Sequence, residues 1–350
     1  MSAPVKVGIN GFGRIGRLTL RVLEAKYKGV LEVVAINDLW PPHVLAHYFE
    51  YDSIYRAYPG TVSSNNSAEG VRGTICVDGR NIVVFNERKP SDIPWSELGV
   101  EIVIEASGLF TDANLARGHI DSGGAKKVLI SAPAKNEDIT VVLGVNDLLL
   151  RPEHAVISNA SCTTNGLSPL ALVLEESFGI EAGILTTIHS KTGTQSLTDS
   201  PKADFGDGRD GSTNMVQGDT GAAKAVELVI PSLKGKFKGI AVRVPTATVS
   251  LIDFSVLLNR ETTNEEIREV MLAAANGPLQ GILDVTDKRL ASSDFIGNSF
   301  SSIFSSVSTQ VIGRMVKILS WYDNEWGYAT RLCDLAALVA SMLAASEQNN

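Results

Sequence analysis

Cys162 stands in Ser158-Asn-Ala-Ser-Cys-Thr-Thr-Asn165, a small polar stretch ahead of an apolar run, Gly166 to Leu174, that has helical spacing. A thiol at a helix N-terminus faces unpaired backbone N–H groups and the positive end of the helix dipole. Both favour the thiolate, which is the nucleophilic form. His189 follows 27 positions later, at the end of Gly183-Ile-Leu-Thr-Thr-Ile-His189, a strand pattern. A base on a strand end beside a nucleophile on a helix start suits covalent catalysis. Most lone cysteines are buried apolar fillers, so the chemistry needs support from elsewhere in the chain.

That support lies at the N-terminus. Val5 to Asn10 reads as a short buried strand and runs into Gly11-Phe-Gly13-Arg14-Ile15-Gly16, followed by a helical pattern from Arg17. This is the context of a dinucleotide fingerprint. Gly11 would make the tight turn, Gly13 admit the pyrophosphate and Gly16 let helix and strand pack, with Arg14 and Ile15 as further cofactor neighbours. The next strand, Leu31 to Ile36, ends at Asn37-Asp38, and Asp38 lies 22 positions after Gly16. An acid there accepts hydrogen bonds from an adenosine ribose. A nucleotide site and an activated thiol together suggest aldehyde oxidation. The thiol adds to the carbonyl, hydride leaves for the nicotinamide of NAD, and an acyl acceptor releases the thioester. His189 would take the proton from the thiohemiacetal oxygen.

The elements around these residues predict an α/β chain in two domains. Residues 1–161 read as a doubly wound Rossmann domain. Residues 162–327 read as an α+β catalytic domain with a mostly antiparallel sheet. A final amphipathic helix, Thr330 to Ala345 within residues 328–350, packs back on the first domain. Strands in the first domain end at Ser107-Gly108 and near Ser131, and ligands sit beyond the carboxyl ends of parallel strands. Ser107, Gly108 and Ser131 therefore join the cofactor neighbours. Asp78-Gly79 reads as a hairpin turn before a strand at Asn81 to Phe85, and Thr61 to Gly70 as a surface turn. The stretch Lys191 to Asp219 is polar, glycine-rich and too long for an ordinary connection, so it reads as a functional loop.

Composition bounds the function. The 350 residues carry a net charge of −8 with 44% hydrophobic and 20% charged residues, a globular balance. That charge argues against broad nucleic-acid or membrane-surface binding. Three widely spaced cysteines form neither a disulfide framework nor a metal-ligand pattern, so no metal and a reducing, cytoplasmic setting are expected. His43 and His47 lack acidic partners and read as solvated or packed histidines. The start enters the first strand without a basic or apolar leader, and no run of about 18 apolar residues predicts a membrane span.

Four motifs, Gly8-Ile-Asn-Gly-Phe-Gly-Arg-Ile-Gly16, Ser158 to Asn165, Thr220-Gly-Ala-Ala-Lys-Ala-Val226 and Trp321-Tyr-Asp-Asn-Glu-Trp-Gly-Tyr328, occur in this order. With them the chain resembles the phosphorylating glyceraldehyde-3-phosphate dehydrogenase family over about residues 4–340. The resemblance implies a cytosolic homotetramer that oxidises D-glyceraldehyde 3-phosphate with NAD and inorganic phosphate. It implies Cys162 as nucleophile and His189 as base. Thr192 and Arg243 would hold the substrate's phosphate. Ser161, Thr163, Thr220 and Gly221, assisted by Arg209, would hold inorganic phosphate. Asn324 would hold the nicotinamide carboxamide, and Arg88 would contact the adenine side. Leu39 and Pro201 resemble the family's NAD-type pair.

The chain also departs from the family pattern. Gly166 replaces a second cysteine, Phe205 stands where tryptophan or leucine is common, and Asp219 precedes Thr220 in place of a hydroxyl-rich run. Asp219 would repel phosphate, and Lys191 could compensate. A sister enzyme for erythrose 4-phosphate and a catalytically weak binding paralogue share the same motifs, and remain the alternatives at this level.

Overall fold

The computed structural model describes residues 3–66 and 72–348. It divides into two compact units, Met1–Val141 with Leu148–Ala160 and Ala329–Asn350, and Val142–Asp147 with Ser161–Tyr328.

The first unit begins with Val5–Asn10 (β1), Arg14–Lys26 (α1), Leu31–Asn37 (β2) and Pro42–Glu50 (α2). Val62–Asn65 (β3), Thr74–Val77 (β4), Arg80–Phe85 (β5) and Ile102–Glu105 (β6) follow. Short helices Ala113–Ala116 (α3) and Gly118–Asp121 (α4) then lead to Lys127–Ile130 (β7), Ile139–Thr140 (β8) and Val156–Ser158 (β9). The sheet order is β3-β4-β5-β2-β1-β6-β7-β9-β8, parallel from β5 to β8. All four residues of β6 and of β7 are buried, as expected of central parallel strands covered on both faces. Asp78 and Gly79 both have positive φ and join β4 to β5 as a two-residue hairpin.

The surface turn expected over Thr61 to Gly70 is corrected in part. Val62–Asn65 pairs antiparallel with β4, because an exposed polar segment can still extend a sheet edge through its backbone. Ser67 to Gly70 lie outside the described residues.

The second unit contains Cys162–Phe178 (α5), Ile180–Ser190 (β10), Val216–Asp219 (β11), Ala222–Val229 (α6), Phe237–Val244 (β12) and Ser250–Leu258 (β13). Asn264–Ala275 (α7), Leu283–Thr286 (β14), Ser302–Ile312 (β15) and Met315–Tyr322 (β16) complete it. The sheet order is β11-β12-β10-β13-β16-β15-β14, antiparallel except for β10 with β12 and β14 with β15. β13 alternates buried and half-buried residues, and α5 packs on its buried side.

The last helix, Trp326–Gln348 (α8), starts earlier than its apolar pattern indicates. Asp323 explains this: its Oδ1 accepts the N–H groups of Glu325 and Trp326, each at 3.0 Å. Within the first unit, Lys26 Nζ reaches Asp334 at 2.8 Å and the Cys333 thiol donates to the Thr19 carbonyl. By length and composition alone Trp326–Ser346 could cross a membrane, a test that a buried core helix passes equally, so the expectation of no span is not overturned. Arg331 and Asp334 pair within it and interrupt the unbroken apolar run that the sequence criterion requires, and half of its apolar window is buried in the protein.

Candidate functional site

Ser161 caps α5. Its hydroxyl oxygen accepts the Thr164 N–H at 2.9 Å, so Cys162 is the first residue of the helix. β10 brings His189 to the thiol, with Cys162 Sγ 3.4 Å from His189 Nε2. His189 Nδ1 lies 2.7 Å from the Ser190 carbonyl oxygen. A carbonyl only accepts, so Nδ1 carries the proton and Nε2 presents a bare lone pair to the thiol. On the parallel neighbour β12, Arg243 occupies the position paired with His189. Its Nη1 is buried and has no hydrogen-bond partner among the described residues. A buried guanidinium donor left unpaired is costly, and an anion would satisfy it.

The electrostatics correct one expectation. Burial pushes the Cys162 thiol up, against the lowering pulls of the Thr163 hydroxyl, Arg243 and the helix-terminal amides. Burial and then the Arg243 charge lower His189 to about 4, while the Ser190 carbonyl pulls the other way. Both shifts act against the charged forms, while the geometry points the bare Nε2 lone pair at the thiol. The helix N-terminus does act as expected, but desolvation outweighs it.

In the first unit, Gly11, Gly13, Asp38, Trp40, Arg88 and Ser107 line a cleft of about 360 Å³. Gly11 has φ +89, and a Cβ there would lie 2.5 Å from the Ser107 backbone. A Cβ on Gly16 would meet the Gly11 carbonyl at 2.2 Å, whereas one on Gly13 would project into open space. That open cradle, before the start of α1, fits a pyrophosphate. Asp38 accepts the Phe12 N–H at 2.8 Å and the Trp40 N–H at 3.1 Å, and each carboxylate oxygen keeps a lone pair for a ribose hydroxyl. The Arg14 guanidinium is turned to Asp52 and the Tyr55 ring. Ile15 is half-buried, Gly108 has φ +73 and the Ser131 N–H donates to the Glu105 carbonyl, so these residues shape the backbone around the cleft. The expected histidines are accounted for: His43 bonds Asn66, and His47 packs on Tyr48 and Tyr51.

The residues expected around phosphate fall into two groups in the second unit. Thr192 lies two residues past the end of β10 and so near the end of the strand pair that holds His189 and Arg243. Asp219 pairs with Ile240, three residues along β12 from Arg243, so Thr220 and Gly221 lie about 10 Å or more further along the sheet. The Thr163 hydroxyl faces the Tyr322 phenol at 2.9 Å rather than open space. Arg209 is exposed and paired with Asp199 at 3.0 Å. Asp210 is held down first by its hydrogen bonds from Ser212, with the Lys191 charge a further pull in the same direction.

Comparison with known proteins agrees with these features. Residues 5–113 match the family described as glyceraldehyde 3-phosphate dehydrogenase, NAD binding domain, and residues 161–324 match the C-terminal domain of the same enzyme. The chain belongs to the glyceraldehyde-3-phosphate dehydrogenase family. It is 49% identical over 339 residues to glyceraldehyde-3-phosphate dehydrogenase from Geobacillus stearothermophilus, covering 96% of this chain and 98% of that protein. It is 48% identical over 340 residues to glyceraldehyde-3-phosphate dehydrogenase 2 from Streptomyces arenae, covering 97% and 99%. The first unit thus carries the family's NAD-binding domain, and the chain is an NAD-dependent oxidoreductase of the glyceraldehyde-3-phosphate dehydrogenase type.

Within this family site, sequence reasoning missed the buried polar residues that hold the named ones. Ser190 Oγ and Ser250 Oγ both donate to Asn324 Oδ1 at 2.9 Å, which fixes the amide and leaves Nδ2 as its outward donor. Under the cofactor cleft, Trp95 Nε1 donates to His119 Nδ1 at 2.9 Å, and His119 Nε2 lies 3.0 Å from Glu105 Oε2. Glu105 Oε1 accepts the Ser107 N–H at 2.8 Å, fixing the loop that lines the cleft. Tyr322 lies inside a recognised motif, yet an aromatic on a strand carries no spacing signal that separates it from core.

Proposed function

We propose that this protein oxidises D-glyceraldehyde 3-phosphate to 1,3-bisphosphoglycerate with NAD and inorganic phosphate. The observation that carries this reading is the Cys162 thiol facing the bare Nε2 of His189, with an unpartnered Arg243 donor on the next strand. The Cys162 proton passes to His189 Nε2 as sulfur adds to the aldehyde carbon. The imidazolium then protonates the resulting oxyanion, giving a thiohemiacetal. In the oxidation step His189 takes that hydroxyl proton back, which drives hydride from the carbon and leaves a thioester. NAD supplies the hydride acceptor when bound. Phosphate then attacks the thioester carbon and releases the thiol.

Arg243 and Thr192 hold the substrate's phosphate in this reading, and Thr220 and Gly221, with Ser161, receive the attacking phosphate, while the Thr163 hydroxyl is engaged by Tyr322. Arg209 joins them only if it leaves Asp199. Asp38 and Arg88 hold the adenosine end of NAD, and Asn324 Nδ2 donates to its carboxamide.

The reading includes a cytoplasmic homotetramer. Support comes from three free cysteines and from the second unit's outer sheet face, where Ile184 and Ile240 are 64% and 39% exposed. Leu197, Phe205 and Met215 on the long loop are also exposed. Apolar patches of that kind mark association surfaces.

Steady-state NAD reduction with glyceraldehyde 3-phosphate, with and without phosphate, tests the activity. Turnover that ignores phosphate, or that prefers erythrose 4-phosphate, overturns the reading. Sedimentation gives the assembly.

A further inference from the structure

Three strand ends meet next to His189. β13 lies between β10 and β16 and runs antiparallel to both, so the carboxyl ends of those two strands flank its start. Ser190 is the last residue of β10, Ser250 is the first of β13, and Asn324 stands two residues past the end of β16. All three are buried.

Ser190 bonds in three directions. Its carbonyl oxygen lies 2.7 Å from His189 Nδ1, its N–H donates to Ser250 Oγ at 3.1 Å, and its hydroxyl donates to Asn324 Oδ1 at 2.9 Å. The residue that aims the base therefore also grips the amide. Ser250 Oγ gives Asn324 Oδ1 a second bond at 2.9 Å.

A side-chain amide has two orientations of nearly equal shape, and its partners decide between them. With Oδ1 inward, both hydroxyl protons find an acceptor. With Nδ2 inward, the amide would aim its own hydrogens at those hydroxyls, and their protons would have to turn elsewhere. Ser250 Oγ also takes the Ser190 N–H and neighbours the Tyr322 phenol. Ser190 Oγ has no second partner among the described residues, so the flipped amide would strand its buried proton, at a cost.

We propose that Ser190 is a positioning residue for the cofactor: its hydroxyl holds Asn324 with Nδ2 outward, so the strand end that aims the base also presents the donor for the nicotinamide carboxamide. Base and hydride acceptor then share one anchor, and their relative placement is set by a single residue. The inference rests on Asn324 being the residue that receives the carboxamide.

The test is calorimetric titration of the full-length protein with NAD and with ADP-ribose, which has the adenosine and pyrophosphate of NAD but no nicotinamide ring. Ser190→Ala should raise the Kd for NAD about three- to tenfold, the usual effect of losing one buried hydrogen bond, and leave the Kd for ADP-ribose unchanged. A general loosening of the fold would weaken both ligands. Asn324→Ala sets the scale: it should weaken NAD at least as much, and adding Ser190→Ala to it should change nothing further. Equal weakening of NAD and ADP-ribose, or an NAD affinity that Ser190→Ala leaves unmoved while Asn324→Ala lowers it, overturns the proposal. Should Ser190→Ala fail to fold, Ser190→Cys keeps a side chain there with only a weak donor, and an unmoved NAD affinity in that variant overturns it equally. An unmoved NAD affinity in Asn324→Ala would remove the Asn324 assignment itself and the proposal with it, a result distinct from failure at Ser190 alone.

Discussion

His189 and Arg243 are in register near the carboxyl ends of adjacent parallel strands, so the base and the guanidinium with its unpartnered Nη1 share one end of the second sheet. The cation lowers the imidazole's proton affinity, and so keeps it a base, while standing ready for an anion. This coupling separates two functions that single substitutions can read independently.

Arg243→Ala should lower kcat/KM for the phosphorylated aldehyde on the order of 10- to 100-fold, chiefly through KM. Unphosphorylated glyceraldehyde should lose little. Removing the positive charge also lets the His189 pKa rise, so the acid limb of the rate profile should move to higher pH. Equal losses for both aldehydes would show that arginine does not read the phosphate.

His189→Asn should reduce kcat on the order of 10²–10⁴, the range for a positioned base. It should also change how stability depends on pH. In the wild type a folded pKa near 4 lies below the ordinary 6.5, so the unfolded chain binds the extra proton between these values. Stability is therefore full above that window and falls as pH drops through it, by about 3 kcal/mol at completion. Denaturant titrations across the window should show this loss in the wild type and not in the asparagine variant.

Asp38→Asn should weaken NAD binding and relax discrimination against NADP, because the repulsion of a 2′-phosphate disappears with the charge. Asparagine is the better probe than alanine, since its carbonyl oxygen still accepts from one of the Phe12 and Trp40 amides. Titration with both nucleotides measures it, and an unchanged NAD-to-NADP ratio would argue that selectivity arises elsewhere.

Asp219→Ser should lower the KM for inorganic phosphate by less than about fivefold, since an exposed carboxylate acts through solvent for under about 1 kcal/mol. Lys191 acts on Asp210, so Lys191→Ala should combine with it additively. A large coupling energy in the double variant would indicate that the loop rearranges when phosphate binds.

Much of this was legible in the sequence because it lies in local patterns. The glycine spacing, the acid after β2 and the helix behind Cys162 each follow from short-range rules, and the structure puts them on the elements so inferred. The ionisation of Cys162 was not legible. The helix terminus is local, but the burial that opposes it is a property of the folded chain. Thr163 was read as open to ligand, whereas a strand that begins 152 residues later claims its hydroxyl. The early start of α8 also depended on a side-chain acceptor, Asp323, ahead of the apolar pattern.

The Ser190 carbonyl that orients His189 belongs to the peptide backbone. Many catalytic imidazoles are held by a carboxylate, which can be mutated, titrated or screened by salt. A peptide oxygen is subject to none of these, so the Nδ1–H tautomer should persist wherever the imidazole is neutral. No single side-chain replacement deletes it either. Engineering that reshapes the substrate pocket can therefore vary the neighbours of His189 widely while the ring keeps its aim, provided that the chain from His189 to Lys191 keeps its course.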